Sequence, residues 1–144
     1  ASDVYKRQVI TMTTITHTCE CACGLVQLRC MAEPIRTSIC HCFECQKRTG
    51  SVFGVQAKFN KEQVILDGDV TSYTRLCDSG NQVQYEFCPA CGTTMRLLLS
   101  DSTDFVVVPV GLFNNNEFPQ PTISIYEQRK HGWVHFECTM EHIE

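Results

Sequence analysis

Short stretches in which apolar and polar residues alternate run through most of the chain. Val26, Leu28 and Cys30 alternate with Gln27, Arg29 and Met31, the period of two expected when one face of a sheet is buried. Ile35, Thr37 and Ile39 repeat the pattern and lead directly into Cys40. Residues 70–77 are rich in Thr, Tyr and Val, and the turn signal Asp78-Ser79-Gly80-Asn81 that follows predicts a hairpin with residues 82–87. In the second arm Val83, Tyr85 and Phe87 share one face. Further strands are predicted over 52–59, 94–99, 105–110, 122–126 and 132–136, with Asp67-Gly68 and Asp101-Ser102 as breaks. Only 43–49 and 61–64 read as helical, and Gly50 is placed to end the first. Many short strands with very little helix predict a mainly β domain, sandwich-like or otherwise folded over, with antiparallel pairing.

Length adds one constraint. A chain of 144 residues fits one domain and can bury roughly two thirds of its unfolded surface. No repeat, low-complexity block or long linker divides it, so residues 12–144 are expected to form a single domain. Residues 1–11 are expected to be a non-native or disordered extension, since Met12 followed by Thr13-Thr14 makes a suitable native start. The longest apolar run, residues 105–110, is strand-sized and far short of the roughly 20 residues of a membrane span. The net charge of −4 argues against a broad phosphate-binding surface and favours small-molecule or protein partners over nucleic acid.

The cysteines change the picture most. Eleven are present, although a domain this long needs no disulfide staples. Seven fall into three groups: Cys21-Ala22-Cys23, Cys40-His41-Cys42-Phe43-Glu44-Cys45, and Cys88-Pro89-Ala90-Cys91. An odd number does not suit pairwise disulfides, but seven thiolates divide into a closed set of four and an open set of three. Cys21 and Cys23 precede a strand, with Gly24 at the turn; Cys88 and Cys91 close the hairpin and are followed by Gly92. Each short spacer lets two thiolates on one turn face a common ion. Together they predict a structural zinc site of Cys21, Cys23, Cys88 and Cys91, a type worth about 10–16 kcal/mol in small finger peptides. Cys40, Cys42 and Cys45 have no fourth partner in sequence, so a zinc held there keeps an open position suited to thiol chemistry. An iron–sulfur cluster uses the same ligands, but a four-and-three division fits two Zn2+ ions better. Reduced thiols suit a reducing compartment, and a cytoplasmic location is expected.

Cys21-Ala22-Cys23-Gly24, Cys40-His41-Cys42-Phe43-Glu44-Cys45-Gln46-Lys47-Arg48-Thr49-Gly50 and Phe87-Cys88-Pro89-Ala90-Cys91-Gly92-Thr93, in that order, resemble the glutathione-dependent formaldehyde-activating enzyme family, the CENP-V/GFA domain. The resemblance runs from Thr18 to about Phe136. It implies a β-tent fold with two zinc ions, the structural one on Cys21, Cys23, Cys88 and Cys91 and the catalytic one on Cys40, Cys42 and Cys45. It also implies carbon–sulfur lyase chemistry, the reversible addition of glutathione to formaldehyde in the manner of an S-(hydroxymethyl)glutathione synthase.

On this reading His41 assists proton transfer or orients the loop, while Lys47 and Arg48 meet the carboxylates of glutathione, the thiol substrate. Phe43, Phe53 and Trp133 are candidates to line the pocket. A non-catalytic zinc module binding protein or nucleic acid is the competing reading; scattered Lys and Arg residues and the acidic balance count against it. Cys19, Cys30, Cys77 and Cys138 have no assigned task. Cys19 allows the first pair to slip by two residues, but Gly24 directly after Cys23 favours the later register.

Overall fold

The computed structural model describes residues 14–144; the expected extension at 1–11 lies outside them. The strands, in chain order, are β1 (His17–Glu20), β2 (Gln27–Cys30), β3 (Arg36–Cys40), β4 (Gly54–Asn60), β5 (Val64–Asp67) and β6 (Thr71–Leu76). They continue with β7 (Gln82–Phe87), β8 (Thr94–Leu99), β9 (Phe105–Pro109), β10 (Ile123–Ile125) and β11 (Glu141–His142). One α-helix, α1 (Phe43–Thr49), lies among the described residues. The fold is mainly β.

The strands form two sheets. The smaller has the order β1-β2-β5, and the larger has the order β11-β10-β3-β4-β9-β8-β7-β6. Pairing is antiparallel except at one edge, where β10 runs parallel to both β3 and β11. This edge departs from the purely antiparallel expectation. From β9 the chain passes β4 and β3 to reach β10, which runs in β3's own direction.

The two sheets share one core. Val26, Leu28, Cys30 and Val64 from the small sheet and its approach pack with Ala57, Phe59, Met95, Val106 and Val108 from the large one. Register explains the choice. Ala57 stands opposite Val108, and Phe59 opposite Val106, so the alternation of the two strands sends all four side chains to the same face. Phe113 and Phe118 stack at 4.4 Å between centroids and close the end beside Phe59. The predicted alternation of Val26, Leu28 and Cys30 is realised, each being at most 1% exposed. Val83 is buried as expected, while a bulge between Glu86 and Phe87 interrupts the alternation of its strand. The bulge accompanies a buried ion pair between Glu86 and Arg96.

Several elements differ from the sequence pattern. Residues 132–136 form no strand: they turn at 132–133 and continue irregularly. The outer edge of β10 pairs with β11 and not with this segment, and Val134 and Phe136 pack by side chain. Residues 61–64 make a single 3-10 turn, Lys61–Gln63, after which Val64 opens β5. The strands β1, β5 and β11 were not marked by alternation; β11 has two residues and β1 four, too few for a periodic signal. Tyr126, at φ 56° in the left-handed region, ends β10.

Phe59 is fully buried where the two sheets meet. Phe59→Ala is expected to lower the stability of the metal-replete protein by about 3–5 kcal/mol through lost burial and a residual cavity. Urea unfolding of both proteins checks this, with a drop below about 1 kcal/mol counting against a shared core at this position.

Candidate metal centres

Two turns from distant parts of the chain build the first centre. Cys21 and Cys23 lie in the turn between β1 and β2, where the Cys21 amide donates to Val26 O and the Gly24 amide to Cys21 O. Cys88 and Cys91 lie in the turn between β7 and β8, where the Cys88 amide donates to Thr93 O and the Gly92 amide to Cys88 O. Gly24 (φ 82°) and Gly92 (φ 77°) occupy the left-handed conformation that each turn requires. The four sulfurs lie within 4.8 Å of one another. Cys21 Sγ is 3.6 Å from Cys23 Sγ, and Cys23 Sγ is 3.7 Å from Cys88 Sγ. Tetrahedral zinc with bonds of about 2.3 Å requires sulfurs about 3.8 Å apart. The donor set therefore fits that ion, and the later register, with Cys19 outside the set, is the one adopted.

Cys21 and Cys88 face the core, whereas Cys23 and Cys91 are exposed. Thr93 connects the two turns. Its hydroxyl oxygen accepts from the Ala22 amide at 3.1 Å and lies 3.1 Å from Cys91 Sγ. Hydrogen bonding from the Thr93 hydroxyl, with help from its amide, holds the Cys91 thiol down at about 5. At Cys23 the Leu25 amide favours the thiolate, but desolvation and the neighbouring cysteines outweigh it and push the thiol up to about 12. Thiols this close cannot all ionise without a cation between them.

The second centre is local. Cys40 is the last residue of β3, Cys42 is the N-cap of α1, and Cys45 lies one turn into that helix. Their sulfurs also lie within 4.8 Å of one another. Cys42 Sγ accepts from the Cys45 amide at 3.3 Å, the position usually filled by Ser, Asp or Asn oxygen. Hydrogen bonds from Cys40 and then Cys45, together with the helix amides, pull the Cys42 thiol down to about 2. The thiolate at Cys42 pushes the Cys40 thiol far up in turn. The three thiols thus oppose one another's ionisation, a conflict that a soft cation would relieve. Among the described residues no fourth Cys, His or carboxylate joins the set.

The remaining sequence candidates separate by environment. His41 is fully buried, and its Nε2 lies 2.9 Å from Ser124 Oγ while Nδ1 has no partner. Burial depresses its basicity and keeps the ring neutral. Phe53 and Phe136 pack around it, with centroids 6.0 Å and 5.9 Å away. Lys47 is exposed and pairs with Glu44 at 3.5 Å. Arg48 is half-buried, its Nη2 donating to Gln56 Oε1 at 3.4 Å. Phe43 is exposed beneath the Arg129 guanidinium, 4.6 Å from the ring centroid, and Trp133 is exposed with its edge to His131. Cys19 and Cys30 are core residues whose thiols burial pushes up to about 12. A cleft of about 540 Å³ between Asn60, Lys61 and Asp104 contains no residue of either cluster.

Sequence reasoning passed over Gln46 and Thr93. The Gln46 amide nitrogen donates to His41 O at 2.8 Å and Arg129 O at 3.3 Å, and its oxygen lies 3.2 Å from His131 Nε2. It clamps the segment after β10 onto the Cys40–Cys45 loop. Its place directly after Cys45 was the available signal. Gln46→Ala is expected to destabilise the fold by about 1–3 kcal/mol, since it leaves carbonyls without donors; an unchanged urea midpoint would contradict the clamp. Thr93→Val should weaken metal binding at the Cys21/Cys23/Cys88/Cys91 centre by roughly 10–100-fold. Chelator competition on wild type and variant measures this, and equal release curves would remove Thr93 from the centre's support.

No curated protein matches the chain. A crystal structure of a Rhodobacter sphaeroides protein from a structural genomics programme is similar at 19% identity with a TM-score of 0.54, covering 72% of this chain and 91% of that one. That likeness concerns the fold. Residues 16–129 match the family described as glutathione-dependent formaldehyde-activating enzyme, a span that contains both cysteine clusters. The chain, with its two clusters suited to metal ions on a mainly β frame, belongs to the glutathione-dependent formaldehyde-activating enzyme family.

Proposed function

We propose that the protein is a zinc-dependent carbon–sulfur lyase that reversibly adds a thiol of the glutathione class to formaldehyde or a related small aldehyde. The observation that carries this reading is the contrast between the two clusters. Four sulfurs at tetrahedral spacing complete a metal's coordination, whereas Cys40, Cys42 and Cys45 supply three and leave room for an exogenous sulfur. A zinc ion bound there would supply Lewis acidity and favour the thiolate form of a nearby thiol. A reducing compartment such as the cytosol is the setting we propose, because all seven ligand thiols must stay reduced.

In the reaction the thiol S–H bond breaks, sulfur bonds to the aldehyde carbon, and the carbonyl oxygen takes up a proton to give a hemithioacetal. The chain's residues hold and orient. Cys40, then Cys45 and the helix amides, favour the thiolate of Cys42, and Cys40 is fixed by pairing of its strand to both Gly54 and Ile125. His41, buried, neutral and bonded to Ser124, is assigned to positioning the two flanking cysteines. Arg48 and Lys47 are assigned to the carboxylates of the thiol, Arg48 from the sheet face and Lys47 from the solvent side.

Cys42→Ser is expected to reduce thiol-dependent formaldehyde consumption by roughly 100-fold or more, with bound zinc falling from two equivalents towards one. Undiminished turnover in a variant with an empty central site would refute the assignment.

A further inference from the structure

Beside the central cluster, one face of the large sheet carries cations that no carboxylate meets. β3 and β4 pair so that Arg36 stands opposite Lys58, Ser38 opposite Gln56 and Cys40 opposite Gly54. Residues two apart on a strand share a face, so Arg36, Lys58, Gln56 and Cys40 lie along one side. Arg48 reaches onto the same side from α1. Its Nη2 bonds Gln56 Oε1, and a Cβ at Gly54 would come within 2.9 Å of that nitrogen. The absent side chain at Gly54 is what lets the guanidinium lie there.

The charges are unusual for their setting. Like charges directly opposite across strands repel, yet Arg36 and Lys58 are paired in this way. Arg36, Lys58 and Arg48 take part in none of the ion pairs among the described residues. Lys58 Nζ is held instead over the Phe105 ring, 4.2 Å from its centroid, and Arg48 Nε is buried without an acceptor. Three cations gather on this face although the whole chain has a net charge of −4.

We infer that Arg36, Lys58 and Arg48 form a carboxylate-binding rail that guides an anionic thiol along β3 and β4 to the central cluster. The identity of the ligand rests on the thiol chemistry proposed above; the rail itself rests on the cations. Four residues of strand separate Arg36 from Cys40, about 13 Å. A ligand with its sulfur at Cys40 and its carboxylates several bonds away therefore extends along this face towards Arg36. Arg36 and Arg48 can each take a carboxylate through two parallel hydrogen bonds, with Lys58 adding a point charge. Small uncharged thiols gain nothing from these residues, so the rail sets specificity without taking part in bond making.

The test uses the zinc-loaded full chain and separates carboxylate from sulfur. S-methylglutathione keeps both carboxylates but has no free thiol; 2-mercaptoethanol has the thiol and no charge. The rail variant Arg36→Gln/Lys58→Gln is compared with Arg29→Gln/Lys61→Gln, which removes the same charge elsewhere. By calorimetry the rail variant is expected to bind S-methylglutathione about tenfold or more weakly, with the control close to wild type. Absence of binding to wild type, unchanged binding by the rail variant, or equal weakening in both variants would overturn the rail. Binding of 2-mercaptoethanol, followed by the absorption of a cobalt-substituted central site, is expected to be the same in all three proteins. A cobalt spectrum indifferent to 2-mercaptoethanol, beside rail-dependent binding of S-methylglutathione, would sink the thiol chemistry and uphold the rail.

Discussion

The convergence of Cys21, Cys23, Cys88 and Cys91 is the constraint on which the rest of the molecule depends. These four sulfurs come from turns 65 residues apart between Cys23 and Cys88, one on the small sheet and one on the large. Two of them, Cys21 and Cys88, are also part of the buried core. Holding those turns together fixes the small sheet over the large one, which in turn encloses Leu28, Phe59 and Val106. Loop closure over such a separation is entropically unfavourable. A metal ion bound at this junction would offset that cost, because its binding free energy is available only to the folded chain.

The central cluster follows a different logic. Its three cysteines are neighbours in sequence, and their geometry comes from a strand end passing directly into a helix N-terminus. Cys40 inherits its position from β3, which is clamped between β4 and β10. The Cys42 thiol is held down first by Cys40 at the strand end and then by Cys45 and the amides of the first turn of α1. His41 lies between them, buried against Phe53 and Phe136, and Gln46 holds the following segment in place. The three sulfurs are therefore held by paired and hydrogen-bonded elements, with no fourth Cys, His or carboxylate among the described residues. That combination is what the proposed exchange of a small thiol would require.

Much of the fold was legible in the chain. Strands β7 and β8 and the helix α1 have the boundaries that their periodicity and turn residues predict, since each is bounded by Gly, Asn or Cys-Pro punctuation. The sulfur groupings were legible too, because ligand spacing within one turn is a local property. Failures occurred where local sequence has no authority. Residues 132–136 alternate suitably for a strand, but they pair with no sheet edge, and Val134 and Phe136 use the alternation for side-chain packing. The parallel pairing of β10 is equally invisible to any local pattern.

By itself, then, the sequence determined the mainly β character, the division of seven cysteines into four and three, and the thiolate chemistry that such sets support. These depend on side-chain type and on separations of two or three residues, which the backbone fixes directly. Only the tertiary structure decided which polar groups surround the centres. Thr93 reaches Ala22 across 71 residues, Gln46 reaches His131 across 85, and Arg36 comes to face Lys58 through strand register. Contacts of that range are selected by how whole sheets pack, and no short window of sequence contains them.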